Sequence, residues 1–396
     1  MGIRTEPMSS WPEFDDEQVE AVGNALRSGK VNYWTGEHGR LFEGEYADYV
    51  GCKYGIAVAN GTVALELALY ALGVGTGDEV ITTCRTFIAT ASGIIVRGAI
   101  PVFADVDKDS QNITLDSIKK VVTPKTKVII AVHLAGWPCD MDEIMAFAAQ
   151  RGIKVIEDCA QAHGATYDGQ QVGSLGDIAA FSFCQDKIMT TGGEGGMVTT
   201  SDKELWSKMW AYKDHGKSWQ LVHEQKHPPG FRWLHDSIGT NWRMTEMQAV
   251  LGRIQLKRLA SWTGKRLSNA NRIWDTARQC IALRVPEVPD KVRHAAYKCY
   301  VFVNAEMLKP EWNRARIMDE INALGIPCFS GSCSEVYLEK AFDSTDFQPK
   351  ESLPIAKELG ETALMFLVHP TLTDDEINQT CTAITHVMTQ ATESTF

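Results

Sequence analysis

Between about residues 55 and 200 the sequence alternates short apolar runs with segments of helical period. The runs YGIAVAN, DEVITT, IPVFADV, KVIIAVHL, KVIEDC, IAAFSF and GGMVTT each have the length of a strand. Between them lie stretches such as VALELALYALGV and MDEIMAFAAQRG, whose apolar residues recur at helical spacing. Strands that are apolar throughout need cover on both faces, and parallel strands need a crossover long enough to hold a helix. The pattern therefore predicts an α/β fold with a mostly parallel central sheet. In such sheets ligands sit beyond the carboxyl ends of the strands.

The flanks read differently. Residues 15–29 predict a helix ending at Gly29, followed by the loop VNYWTGEHG and a second helix through Phe42, Tyr46 and Tyr49. From 202 to 260 the pattern is helical, with loops around HPPG at 227–230. Beyond about 261 the predicted elements are a helix from Lys265 to Gln279, a strand KCYVFVNA at 298–305, a helix from Glu311 to Leu324 and a last helix from Asp374 to Thr389. A chain of 396 residues is too long for one small core. The expected division is residues 1–260, an N-terminal segment with the large domain, and 261–396, a smaller α+β domain.

A net charge of -11 with no basic run of useful length argues against a nucleic-acid surface. The N-terminus, MGIRTEPMSSWPEFDDEQ, is acidic where a signal peptide needs an apolar core, and the apolar runs are short, so a cytoplasmic protein without membrane contact is expected. The ten cysteines are scattered singly, with no Cys-x-x-Cys pair; Cys328 and Cys333, in CFSGSC, come closest. Reduced thiols and no metal site are the expectation. No internal repeat or low-complexity tract is present.

Three separate places carry chemistry. In ANGTVALELALYAL, at 59–72, a strand ends, an Asn-Gly-Thr turn follows and a helix begins. The free amides of Gly61 and Thr62 at its positive end suit a phosphate, although an ordinary capped helix has the same pattern. In KVIEDCAQAHGA, at 154–165, a buried strand carries Asp158 at its carboxyl end. That carboxylate needs a cation or hydrogen bonds, so a helix cap or a structural ion pair competes with a catalytic role. Glu157, on the alternate face, reads as a plain surface group. In FSFCQDKIMTTGGEGG, Phe181 to Gly196, Lys187 precedes a loop with four glycines in five residues. It is either a surface lysine at a strand end or a reactive one, the glycines giving room for backbone to pass it. Lysine, strand-end carboxylate and amide cradle together match what pyridoxal 5'-phosphate needs: a Schiff-base partner, a group that keeps the pyridine nitrogen protonated, and phosphate ligands. Rival phosphate motifs fail, since no G-x-G-x-x-G follows a strand and HGKS at 215–218 has Ala211 where a Walker loop requires glycine.

The motifs TGEHGRLFEGEYADYVG, NGTVALELAL, TFIATAS, EDCAQAHGA, FSF-x-x-x-K-x-x-TTGGEGG and GTNWRMTEMQAVLGRIQL, in that order, cover nearly the whole chain. In them the sequence resembles the DegT/DnrJ/EryC1/StrS family of sugar aminotransferases, fold-type I enzymes dependent on pyridoxal phosphate. The resemblance implies that Lys187 is the Schiff-base lysine and proton-moving base, Asp158 the pyridinium partner and Gln161 the group near the ring hydroxyl. It implies that Phe87 stacks on the ring and that Gly61, Thr62 and Ser182 bind the phosphate. Asn241 matches a phosphate ligand delivered by the other subunit, which implies a homodimer with a shared active site. His163 and Trp34, the latter in the loop leading into TGEHG, lie where substrate contacts are expected, with packing as the competing role. Many relatives read His-Pro-x before the lysine, where this chain has Cys184, Gln185 and Asp186. Relatives that remove a sugar hydroxyl carry histidine at the lysine position, so Lys187 implies amine transfer.

The implied reaction takes an amino group from L-glutamate, holds it as pyridoxamine 5'-phosphate and passes it to a keto-sugar. The acceptor expected first is a nucleotide-linked 4-keto-6-deoxyhexose, serving surface polysaccharide or glycoconjugate biosynthesis. A 3-keto sugar or cyclitol ketone comes next, then a dehydratase using the same cofactor, then a non-catalytic cofactor-binding regulator.

Overall fold

The computed structural model describes residues 3–393. The N-terminal part runs α1 (Asp16–Arg27), α2 (His38–Val50), β1 (Tyr54–Val58), α3 (Gly61–Ala71), β2 (Glu79–Thr83), α4 (Ile88–Val96) and β3 (Ile100–Ala104). Then come α5 (Leu115–Val121), β4 (Thr126–Val132), α6 (Met141–Arg151), β5 (Lys154–Asp158), β6 (Thr166–Tyr167), β7 (Gln170–Gln171), β8 (Ile178–Ser182), β9 (Gly196–Thr200) and α7 (Lys203–Lys213). The rest is α8 (Glu246–Ala277), β10 (Leu283–Arg284), β11 (Val292–Arg293), β12 (Cys299–Val303), α9 (Arg314–Ala323), β13 (Cys328–Phe329), α10 (Pro354–Thr362), β14 (Ala363–Phe366) and α11 (Asp374–Ala391).

Seven strands form one sheet in the order β1-β9-β8-β5-β4-β2-β3. Six run in one direction and β9 alone is reversed, because it returns from β8 as an antiparallel neighbour. Alternation along β4 shows why the strands are apolar throughout. Val128, Ile130 and Val132 pack on one face with Ala64, Leu67 and Ala68 of α3, while Ile129 and Ala131 pack on the other with Ile118 of α5 and Ile144 of α6. A four-stranded antiparallel sheet, β10-β12-β14-β13, lies against α8, α9 and α11 and builds a second core around Trp274, Val301, Phe366 and Ile384. A small sheet, β11-β6-β7, pairs Val292 with Tyr167 and so ties the C-terminal stretch back to the large sheet's side of the molecule.

Two sequence expectations need correction. The change of character near residue 260 is no chain break, because α8 runs unbroken for 32 residues through it. Its N-terminal half buries Ala249 and Leu259 among residues of the large sheet, and its C-terminal half buries Ala270, Ile273 and Trp274 in the second core. The stretch 202–260 is only partly helical: α7 ends at Lys213, a single turn covers Gln220–Glu224, and the chain is irregular until Thr245 caps α8. Prolines 228 and 229 and the exposed polar run 224–226 before them deny that segment a buried helical face.

Before α1 the chain straps across the molecule. The amides of Ile3 and Arg4 donate to the Leu324 carbonyl, the Ser9 amide to Glu376, and the Trp11 indole to the carbonyl of Lys187 at 2.8 Å. Among the described residues no helix is long and apolar enough to cross a membrane, and all ten cysteines are free.

Candidate active site

The carboxyl ends of β1, β2, β4, β5 and β8 open into one cavity of about 790 Å³, closed on the far side by Tyr297, Lys298, Tyr300 and Ser332 from the second domain. Six of the residues singled out in the sequence for cofactor chemistry line it, on four different loops: Gly61 and Thr62, Phe87, Asp158 with Gln161, and Lys187. Ser182, at the end of β8, completes the group. The doubly wound topology brings them together, since each follows a strand of the same direction.

Lys187 sits in the turn after β8. Its ammonium nitrogen reaches the cavity, 3.4 Å from the Tyr297 hydroxyl and 3.9 Å from an Asp186 carboxylate oxygen. The glycines beyond it turn the chain back rather than pass the lysine itself. A Cβ on Gly195, whose φ is 159°, would stand 2.0 Å from Thr191 Oγ1 and 3.3 Å from Phe183 Cβ. Phe183 and Thr191 in turn hold the loop, the Phe183 amide donating to the Gly195 carbonyl and the Thr191 amide to the Phe183 carbonyl.

Asp158 is 5% exposed. Burial pushes its carboxyl above the usual range, against hydrogen bonds from the Ala160 amide at 3.1 Å and the Thr90 hydroxyl at 2.9 Å and the charges of Lys187 and His133. A carboxylate held this way lacks only a close cation. Gln161 accepts from the Ala135 amide at 2.9 Å, which fixes the side chain and turns its NH2 group into the remaining donor.

The cradle begins at Asn60, whose side chain caps α3 through the Val63 amide. That leaves the amides of Gly61 and Thr62 free at the helix N-terminus, on the cavity wall. Gly61 has to be glycine: a Cβ there would lie 2.6 Å from Ser182 Cβ and 3.0 Å from its hydroxyl oxygen. Phe87 is 68% exposed at the head of α4 and presents a bare aromatic ring to the cavity. The donor set therefore fits pyridoxal phosphate: Gly61, Thr62 and Ser182 for the phosphate, Asp158 for the ring nitrogen, Gln161 for the ring hydroxyl, Phe87 for the ring face and Lys187 for the carbonyl carbon.

Three predicted contacts lie elsewhere. His163 is fully buried and does not reach the cavity; Nδ1 accepts from Tyr46 at 2.7 Å and Nε2 donates to the Ser182 carbonyl at 2.8 Å. Burial pushes its pKa down to about 3, so it is a neutral structural strut under β8. Trp34 packs edge-on against Trp210 and lies under the Lys217 ammonium, 4.1 Å from its nitrogen. Asn241 is exposed and outside this chain's own cavity, its backbone bridged to Asp214. Glu157 is the opposite of a surface group: it is fully buried and accepts from the amides of Gly173, Leu175 and Gly176. Its neighbours His133 and Cys159 lie close enough to suggest a metal trio, but His133 Nδ1 accepts from the Cys139 amide and Nε2 donates to Glu157, leaving no free ring lone pair. The sequence reading missed Thr90, Tyr297 and Lys298. Thr90 is the fifth residue of the TFIATAS motif, three after Phe87; the other two come from far beyond Asp158 in the chain, with no local signal.

Fold and cavity together define the class: a pyridoxal phosphate-dependent aminotransferase of fold type I. The model of the DegT/DnrJ/EryC1/StrS aminotransferase family matches residues 12–385, and the chain belongs to that family. It is 38% identical over 370 residues to the UDP-N-acetyl-3-dehydro-alpha-D-glucosamine 3-aminotransferase of Acidithiobacillus ferrooxidans, covering 93% of each chain. To the GDP-perosamine synthase of Caulobacter vibrioides it is 37% identical, covering 90% of this chain and 92% of the other. The crystal structure of an aminotransferase from Psychrobacter cryohalolentis superposes with a TM-score of 0.96 at 60% identity, over 97% of this chain and 100% of that one. The chain is a sugar aminotransferase of amino-sugar biosynthesis.

Proposed function

We propose that this chain moves the amino group of L-glutamate onto a nucleotide-linked keto-sugar, with a 4-keto-6-deoxyhexose as acceptor. The observation that carries the reading is the meeting of Lys187, buried Asp158 and the Gly61–Thr62 amides in one cavity. Pyridoxal phosphate, when bound, supplies a conjugated ring that takes up the electron pair left when a C–H bond beside an amine breaks. The chain's residues do the rest. The amides of Gly61 and Thr62 and the Ser182 hydroxyl bind phosphate at the positive end of α3. Asp158, raised by burial while uncompensated, favours a proton on the ring nitrogen facing it. Lys187 Nζ takes and returns the proton at the carbon bearing the amine in both halves of the reaction. Asn241 completes the phosphate site of a partner subunit.

A second reading, a 3-keto acceptor, draws on the Acidithiobacillus relative, whose name specifies a 3-dehydro sugar. One assay decides between them. Enzyme loaded with pyridoxal phosphate is given L-glutamate and, separately, nucleotide-linked 4-keto and 3-keto sugars, and products are read by mass spectrometry and NMR. A 4-amino sugar with one equivalent of 2-oxoglutarate is expected. A 3-amino product moves the acceptor carbon; a sugar that has lost a hydroxyl and gained no nitrogen overturns amine transfer.

A further inference from the structure

Tyr297, from the second domain, and Asp186, from the lysine's own turn, both stand beside the cavity lysine. The Tyr297 hydroxyl donates its single proton to Asp186 Oδ2. Toward Lys187 it can therefore only accept, and Lys187 Nζ lies 3.4 Å from it and 5.0 Å from the centre of its ring. Lys187 thus has a lone pair, an aromatic face and, at 3.9 Å, the other carboxylate oxygen of Asp186 on one side, and the open cavity on the other.

We propose that Tyr297 and Asp186 form a clamp that keeps Lys187 Nζ aimed into the cavity whenever it is not bonded to the cofactor. This rests on the reading of Lys187 as the cofactor lysine. Both act through Lys187 and are positioning residues; they make and break no bond to substrate. The charges around the clamp agree with it. Burial pulls the Asp186 carboxyl upward, but the Lys187 charge, the Tyr297 hydrogen bond and Lys298 outweigh it and hold Asp186 below the usual range. Burial and the Asp186 charge push the Tyr297 hydroxyl well above its ordinary value, so it stays a neutral donor. Lys298, 4.7 Å from the Tyr297 ring centre, and Arg266, pushed down to about 9 by burial, crowd the same spot with positive charge, and Asp186 acts favourably on both. Asp186 belongs to the Cys184–Gln185–Asp186 triplet in which the chain departs from the His-Pro-x pattern.

The test reads the lysine directly. Cofactor-free full-length protein is treated with an amine-selective acylating reagent at one mildly alkaline pH, and modification of Lys187 is followed by peptide mass spectrometry. Loss of the carboxylate or of the acceptor frees Nζ to swing toward the reagent, so Asp186→Asn and Tyr297→Phe should label about fivefold faster than wild type, and Asp186→Glu within about twofold of it. In the loaded enzyme both disabling variants should lower kcat about tenfold with KM for glutamate within about twofold, as expected of a misaimed group. Labelling of Asp186→Asn at the wild-type rate, or an unchanged kcat in both, overturns the clamp. Pyridoxal phosphate should protect Lys187 from the reagent; absence of protection refutes the cofactor reading, while the labelling ratios still judge the clamp.

Discussion

At the scale of single residues the cradle makes the sharpest prediction. A methyl group on Gly61 would meet Ser182 Cβ at 2.6 Å, so Gly61→Ala must push apart the two segments that bind phosphate. Affinity for pyridoxal phosphate should fall by about tenfold or more with little change in folding, as read by equilibrium dialysis, because the loss is one of positioning. His163 gives a prediction of another kind. Its folded pKa of about 3 lies below the ordinary 6.5, as does that of buried His294, also about 3. The unfolded chain takes up these protons first as pH falls through 6.5, so stability drops with decreasing pH until the folded protein protonates near 3. His163→Asn should flatten that slope by about one proton, roughly 1.4 kcal/mol per pH unit midway through the window, measured by urea unfolding at several pH values. The lysine, the aspartate and the amide turn were legible in the sequence because each follows a strand end in a distinctive local pattern. His163 was misjudged because a histidine one turn past a strand end looks the same whether it faces the cavity or lies beneath it; only the partners Tyr46 and Ser182 decide.

Among elements, α8 and α2 are joined by one side chain. Glu246, fully buried in the first turn of α8, accepts from the amides of His38 at 2.7 Å and Gly39 at 3.0 Å, the free donors at the start of α2. The residue before α2, Glu37, makes no side-chain cap, so the cap comes from more than 200 residues away. Glu246→Ala should cost about 2–4 kcal/mol by leaving buried amides unpaired, seen as a lower thermal midpoint. Strands and helices with strong period were readable: the expected helix 374–389 is Asp374–Ala391, and the strand within 298–305 is Cys299–Val303. The two-residue strands β6, β7, β10, β11 and β13 were not, because so short a run carries no periodicity and exists only through its partner. The same holds for a helix cap supplied across the fold, which leaves no mark in the neighbouring sequence.

On the scale of the whole molecule, the proposed delivery of Asn241 to a partner subunit's site predicts that two inactive proteins can repair each other. With the proposed shared site, Lys187→Ala and Asn241→Ala should each disable every site of their own dimer. Mixed dimers carry one site with both defects and one with neither, so remixed protein should regain about a quarter of wild-type activity, half the dimers being mixed and half their sites intact. No recovery after proven subunit exchange would put Asn241 outside the site. α8 is shared by both cores and runs through Gly264 without a break, so the sequence near 260 holds no boundary to show. The strap of residues 3–11 couples the lysine loop to the far side of the molecule. It docks on Leu324 and Glu376 and sets Trp11 against the Lys187 carbonyl. The backbone that carries the lysine thus leans, through nine residues of strap, on segments far along the chain, so loosening the Leu324 or Glu376 anchor should be felt at the cofactor lysine.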